Sequence, residues 1–557
     1  MEEPISVPKI SVTRLNVVML GLSLSLFVSM IEITIVSTAL FKISDDLLAL
    51  DKSQWVIVSY LLTFTAFQLI VAHLSDVIGQ KFMLVSGNVI FLAFSLACGF
   101  ARTMDQLIIF RALQGVGGAA VNSLVFIVMM TLATKQQVGF YTALVGSVSA
   151  FSNFLGPVLG GLVTDHVSWR WIFYLNAPVC VAVLLIILPA MPADRSESMT
   201  KNSLARIDVV GGLLSVVWAI PFVFAIQEGG AAFPWKSAVI VGTLTGGIVG
   251  CILFLCWERH IGKSQKQDQV LPMWMLIDPI VSLVLLSVML FGFAFFSAVL
   301  LLPQRFQAVN GATPTQAGFK LLALTLSSPV FAVVAGAIMS RNKSAAQYLL
   351  LIGASLVAIA TGLLSSLGTE FAVSHSVYGF QVILGTGFGL LLTPSFYILK
   401  AFVPEKDIST SMGALNMARA LGGGISVSIC AAVLHSTLNA DLPDFLDHEQ
   451  IGSLKTSLEI LKTLPSRKTA KVRVVFGKAY NRQFQVMLAF ALANVLVTGI
   501  LLVNVNKRVR NIALEVGEGT ERVDDGEERK SQERVEAALE EEMTTSELHG
   551  FNANTKA

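Results

Sequence analysis

Charge is what this sequence is short of. Asp, Glu, Lys and Arg make up 14% of its 557 residues, against 54% hydrophobic, whereas soluble chains carry roughly a quarter charged residues. A soluble chain of this length would divide into domains that each need a polar surface. Too little polar material is present for that, and the surplus apolar surface is expected to face lipid. The net charge of +2 is too small to attract a polyanion, so no nucleic-acid partner is expected. Cysteine is scarce too. Cys98, Cys180, Cys251, Cys256 and Cys430 all fall inside apolar runs and none forms a cluster, which excludes a thiolate metal centre or a disulfide framework. All five are expected to act as small apolar packers.

Nucleotide loops and enzyme constellations are also missing. Gly115–Ala120 reads GVGGAA, a loose dinucleotide pattern, but it lies within an apolar run with no preceding strand. Gly262-Lys263-Ser264 resembles the end of a phosphate loop, yet Trp257 stands where that loop needs glycine. No nucleophile–base pair or metal set is apparent. The chain is therefore expected not to be an enzyme and to have no cofactor. With no ATP site, transport would have to draw on an ion gradient.

What is present is length of apolar run. A bilayer core takes about 20 apolar residues per helix. Such runs fall near 15–40, 54–73, 82–100, 106–130, 137–163, 170–190, 208–226, 237–257, 277–302, 315–339, 347–367, 376–400, 409–435 and 485–505. The reading is an all-α membrane protein with about fourteen spans; the runs lack the period-2 alternation of a transmembrane barrel. The first run is too long for a signal-peptide core, and no small-residue cleavage site closes it, so it is expected to be a retained span. Lys and Arg, among them Arg14, Lys81, Lys135, Arg341, Lys400 and Arg508, favour an orientation with both termini in the cytoplasm. Segment 436–484 is then a long outer loop whose Ile451, Leu454, Leu458 and Leu461 suit a short surface helix, and residues 506–557 an acidic, disordered tail. The sequon Asn342-Lys343-Ser344 would lie inside and carry no glycan.

An ionised group deep in a bilayer is costly, so the exceptions to apolarity are informative. Glu32 shares a helical stripe with Ser25 and Ser29 in the first span, where a desolvated carboxyl suits a proton-binding switch; the plainer alternative is a solvated group near the membrane surface. Arg111 is followed by Gln114, Gly115, Gly118 and Asn122 on one face of the fourth span. It could hold a substrate acceptor, restrain Glu32, or form a structural ion pair between helices. Arg419 shares a face with Asn416, Gly423 and Ser426 beside the tract Ala420–Gly424, which lets another helix approach closely. Phe291, Phe295 and Phe296 cluster in the ninth span and either line a cavity or face lipid.

Several stretches then follow the order of one family. Leu74–Lys81 (LSDVIGQK) resembles the cytoplasmic signature of the major facilitator superfamily, and Arg111–Ala120 (RALQGVGGAA) its fourth-span motif. Asn153–Gly161 (NFLGPVLGG) resembles the fifth-span motif of drug:proton antiporters. Ile31–Leu40 (IEITIVSTAL) resembles the first-span signature of the fourteen-span branch. Trp169–Pro178 (WRWIFYLNAP) and Leu302–Gly318 (LPQRFQAVNGATPTQAG) resemble fungal multidrug and toxin efflux members. The resemblance covers nearly all of residues 15–505.

It implies two six-helix bundles, at 15–190 and 277–505, with two extra central helices within 191–276 and a cytoplasmic tail at 1–14. It implies alternating access gated by Asp76, Gly79 and Lys81, in a short loop at a helix start, and by Gly156, Pro157, Gly160 and Gly161. Glu32 would couple protons; Ser29, Arg111, Gln114, Asn122, Asn153, Phe291, Phe295, Asn416 and Arg419 would line the substrate cavity. Departures are Glu32 where the family usually has Asp, Ala72 for a Gly and Gln80 for an Arg, the last weakening the gate's ion-pair network. Phe380–Leu392 echoes Phe110–Val121 in glycine spacing, as an internal repeat with a midplane site would. The expected function is proton-coupled efflux of a hydrophobic or amphipathic small molecule by a monomer, in the plasma membrane rather than the vacuolar one. Alternatives are uptake of ferric siderophores or vacuolar basic amino acids, or a non-transporting sensor.

Overall fold

In a computed structural model of the chain, residues 11–132, 135–192, 208–229, 233–264, 269–404, 407–456 and 464–518 are described. Among them the fold is helical, with one isolated bridge, Gly229–Phe233, and no strand. The N-terminal half comprises α1 (Val12–Asp46), α2 (Trp55–Ile78), α3 (Gln80–Phe100), α4 (Met104–Leu132), α5 (Lys135–His166), α6 (Arg170–Tyr174) and α7 (Asn176–Ala190). α8 (Val209–Glu228) and α9 (Ala238–Ser264) form a hairpin. The C-terminal half comprises α10 (Trp274–Ile277), α11 (Pro279–Ala308), α12 (Pro314–Lys320), α13 (Leu322–Arg341), α14 (Ala346–Ser365), α15 (Ser376–Phe402), α16 (Ile408–Asp441), α17 (His448–Thr456) and α18 (Ser466–Glu518).

Local chemistry sets these boundaries. Asp278 caps α11 by accepting from the Ile280 and Val281 amides, with Pro279 at the first helical position. Thr313 and Gln316 form a reciprocal capping box on α12. Gly79, at φ 112°, turns the chain from α2 into α3 in a single residue, a conformation that costs glycine least. That tight turn corrects the expectation of a loop at Leu74–Lys81: Asp76 belongs to the last turn of α2, and no helix starts before Gln80.

Twelve helical stretches among the described residues are long and apolar enough to cross a membrane. α2 and α5 are further long helices on the stretches expected for the second and fifth spans. The chain is an integral membrane protein, and its outward surface is apolar; on α9, for example, Val241, Ile252 and Leu253 are exposed. Two separate hydrophobic cores organise the interior, one built mainly on α1–α7 and one on α11–α18. Glycine contacts tighten both: Gly117 backs onto Gly87 and Phe91, Gly387 onto Gly353, and Gly422 onto the Met289 carbonyl. The halves meet where α2 packs on α16, α1 on α11, and α5 on α12 and α13; α8 touches both α2 and α16.

Two expectations need correction at the far end of the chain. The 436–484 loop is largely helical, because α16 runs on to Asp441 and α18 begins at Ser466. At 53 residues, α18 is about 80 Å long and outreaches a hydrocarbon core of about 30 Å; basic residues crowd both of its ends and its apolar centre lies between. The short helix expected near Ile451 is present as α17, with Leu454 buried, while Leu458 and Leu461 lie outside the described residues. Residues 506–518 continue α18, and the acidic stretch that follows also lies outside them. The cysteine reading holds for Cys98, Cys180 and Cys430, which are buried, but Cys256 is exposed because its face of α9 points away from α8.

Candidate functional site

The polar stripe of α1 finds a partner at each turn. Ser25 donates to Asn88 Oδ1 (3.2 Å), and Ser29 donates to the Gly118 carbonyl (3.4 Å). Glu32 accepts from Arg111 Nη1 (2.5 Å) through one carboxylate oxygen and from Asn176 Nδ2 (2.6 Å) through the other. The ion pair is buried, with side-chain exposures of 1% for Arg111 and 0% for Glu32. Glu32 is thus not the solvated surface carboxylate of the plainer alternative.

Arg111 is held on every side. Its Nε donates to the Val56 carbonyl (3.0 Å), its Nη1 also donates to Gln114 Oε1 (2.8 Å), and its guanidinium carbon sits 4.3 Å from the Tyr60 ring centre. Asn176 is fixed in turn by Ser95, whose hydroxyl accepts from Nδ2 (2.8 Å) and donates to the Phe173 carbonyl (2.8 Å). Charge, neutral donors and a ring face thereby repay much of the desolvation of two buried ions.

Asn176, Ser95 and Tyr60 were not singled out by sequence. Asn176 carried the available signal, an amide opening a strongly apolar helix just after the short α6, within the stretch Trp169–Pro178.

The expected cavity residues fall into separate groups. Ser29, Arg111 and Gln114 gather around Glu32 inside the N-terminal half. Phe291 and Phe295 join Phe296 and Phe388 instead: Phe291 stacks on Phe295 (centroids 5.7 Å), and both meet Phe388 edge-on (5.5 and 5.4 Å). Phe291 and Phe296 are buried, and Phe295 packs against both cores. These rings therefore occupy the junction of the halves rather than facing lipid.

Asn416 and Arg419 stand on α16. Arg419 makes no ion pair among the described residues, and its Nε has no hydrogen-bond partner. Unpartnered buried polar atoms recur on the helices packed around it: Gln68 and the Tyr60 hydroxyl on α2, Gln114 Nε2 and Asn122 Oδ1 on α4, and Asn416 Oδ1 on α16. The side chains of Asn153 and Asp76 lie outside what is described.

Of the expected gating residues, Lys81 donates to the Leu188 and Met191 carbonyls (2.7 Å each) at the end of α7. Gln80 donates to Thr131 (3.3 Å). The fifth-span glycines form a contact surface. A side chain on Gly156 would strike Thr34, one on Gly160 the Ile35 carbonyl, and one on Gly161 the Pro314–Thr315 backbone of the other half. Gly318 in turn lies against the Pro157 carbonyl.

Comparison with known proteins follows the same lines. The family model described as Major Facilitator Superfamily matches residues 22–427. The MFS-type transporter FPY5 of Fusarium mangiferae is 36% identical over 87% of this chain and 83% of its own length. The MFS-type efflux transporter ffsH of Aspergillus flavipes is 30% identical over 86% and 82%. Multidrug resistance protein 3 of Bacillus subtilis is 32% identical over 68% and 72%. Among solved structures, a bacterial homologue of the human lysosomal transporter Spinster, in an inward-facing and occupied conformation, aligns with a TM-score of 0.60. Its sequence identity is 12%, over 88% of this chain and 97% of its own, a likeness of fold.

Proposed function

Because the chain belongs to the major facilitator superfamily and is a membrane transporter with efflux pumps among its relatives, we propose that it exports amphipathic small molecules in exchange for protons. The observation that carries the reading is the buried Glu32–Arg111 pair. Its carboxylate is the one group of the α1 stripe that can change charge, and it sits between α1, α4 and α7. Protonating Glu32 removes the charge that Arg111 neutralises and releases α1 from α4. Deprotonation restores the clasp. The proton thus acts on helix packing within one half.

For the substrate, the aromatic junction of Phe291, Phe295, Phe296 and Phe388 offers apolar surface where the two cores meet, and Arg419 on α16 nearby is a cation with no ion pair among the described residues. Arg111, engaged by Glu32, is a poor substrate group; Arg419 takes that role. A molecule with an apolar body and an oxygen acceptor fits both, and a cationic substrate does not. The names of the fungal and bacterial relatives, an efflux transporter and a multidrug resistance protein, support the direction and the class. The termini are assigned to the cytoplasm on the Lys and Arg distribution, and the plasma membrane is proposed because export from the cell requires it.

The experiment is export of fluorescent amphipathic dyes from cells, with uptake into inverted vesicles under an imposed pH gradient. Wild type accumulates dye only with the gradient. Phe388→Ala or Arg419→Gln changes which dyes compete while leaving the proton requirement in place. Gradient-independent transport by the wild type refutes the coupling, and inward flux in cells refutes the direction.

A further inference from the structure

At the end of the bundle where α1 finishes, the C-terminal half contains a buried cation that the transport cycle above does not use. Arg305, in the last turn of α11, is 3% exposed. Its Nη2 donates to the Gly368 carbonyl (2.7 Å), while its Nε has no partner. Among the described residues no carboxylate lies within ion-pair distance of it. Arginine does not shed its proton in proteins, so this charge is permanent and, buried without a counter-charge, unfavourable.

We propose that this end of the C-terminal half binds a small inorganic anion, of chloride size, on the guanidinium of Arg305. A cavity of about 40 Å³ opens beside it, lined also by Asn310, Gly368, Glu370 and Ser374. Tyr480 is not among the residues that line the cavity, but it is fully buried, its hydroxyl has no partner, and it lies within electrostatic reach of Arg305; that hydroxyl is assigned to the anion as a second donor. Asn310 is not one, because its amide nitrogen is engaged by the Glu370 and Phe371 carbonyls (3.2 and 3.0 Å).

Arg473 lies with its guanidinium over Phe371, the residue between Glu370 and Ala372 of the cavity lining, 4.4 Å from the ring centre, and adds positive potential. Glu370 opposes it, but that side chain is exposed and makes no ion pair with Arg305. Size decides the class of ligand. Drug-sized ligands need several hundred Å³, whereas a single water needs roughly 10–15 Å³; this cavity suits one halide with a water, and no organic anion.

The test uses the purified full-length protein in detergent, with thermal unfolding followed at constant ionic strength while chloride is replaced by gluconate, which is too large to enter. The wild-type midpoint is expected to rise saturably, by several degrees, with chloride or bromide. Arg305→Gln abolishes that dependence. Tyr480→Phe weakens the halide affinity severalfold, and this second variant decides the matter if Arg305→Gln does not fold. Equal wild-type midpoints in chloride and gluconate overturn the proposal. So does a dependence that survives Arg305→Gln, or a halide affinity that Tyr480→Phe leaves unchanged. A dependence that appears only in Glu370→Gln also overturns it, by identifying Glu370 as the counter-ion.

Discussion

Glu32→Gln and Arg111→Met, alone and together, separate a coupling carboxylate from a structural ion pair. Removing one partner of a buried pair costs about 3–5 kcal/mol because the other charge is stranded. Here the stranded charge keeps support. With Glu32→Gln, Arg111 retains the Gln114 and Val56 oxygens and the Tyr60 ring face, so the loss is set near the lower end, about 3 kcal/mol.

With Arg111→Met alone the carboxyl keeps Asn176 and can take up a proton, the step the proposed cycle itself uses, so the loss again lies near the lower end. The double variant leaves no charge at the site, and exchanges of that kind come out close to neutral. The expected order of unfolding midpoints in detergent is wild type and double variant together, then the two single variants. Transport driven by a pH gradient in vesicles is expected to be lost in all three variants, including the double one that regains stability. A double variant that is stable and still transports at the wild-type rate under the gradient would falsify the coupling role. Single variants as stable as wild type would show that the pair contributes nothing to holding α1 on α4.

Gly161→Ala is expected to cut transport severalfold, because its methyl meets the rigid Pro314–Thr315 backbone across the halves; Gly246→Ala, with nothing within 4 Å, leaves dye export unchanged. Asp208 accepts from the Gly211 amide and from Trp257 Nε1 (2.8 Å each), capping α8, whereas neither oxygen of Glu258 makes a side-chain hydrogen bond. Thermal unfolding is therefore expected to show Asp208→Ala destabilised by about 1 kcal/mol and Glu258→Gln at or above wild type. Lys52 and Asp105 form an exposed pair (2.8 Å), and Lys52→Gln is expected to shift stability by less than about 1 kcal/mol, an effect that moderate salt erases.

The helices were legible because lipid imposes one rule on long apolar runs, and each expected run coincides with a helix. Glu32 and Arg111 were legible for the same reason, as costly groups that require an explanation. Their pairing was not: the two residues are 79 positions apart, and periodicity along one helix does not say which face of another it meets. Arg419 was placed with Arg111 in the expected substrate cavity, and only tertiary structure distinguishes an arginine with a buried carboxylate from one that makes no ion pair among the described residues. Asp76 was misplaced because a single glycine at positive φ makes a turn that a run of polar residues appeared to need. The length of α18 was hidden by its basic first third, which reads as a loop on hydropathy although nothing in it breaks a helix after Pro465.

The spatial order of the site gives the proposed function a route from proton to gate. Two residues beyond Glu32, Thr34 lies against Gly156; one residue further, the Ile35 carbonyl lies against Gly160; and the neighbouring Gly161 touches Pro314 and Thr315 in the other half. The carboxylate proposed to change charge therefore sits on the stretch of α1 that carries the fifth-span contact, and that contact continues into the boundary between halves. Residues lying between two sites do not by themselves prove coupling. What makes a mechanical link reasonable here is the absence of slack. Each of these glycines is in backbone-to-backbone or near-backbone contact, so a small displacement of α1 on losing the Arg111 clasp has no soft side chain to absorb it. Adding volume at Gly161 should thus disturb transport without removing the proton site, while Glu32→Gln should remove the proton site without disturbing the glycine contact. If Gly161→Ala instead abolishes transport whether or not a gradient is present and leaves the pH dependence of dye binding untouched, the contact is a hinge alone and the proton acts elsewhere.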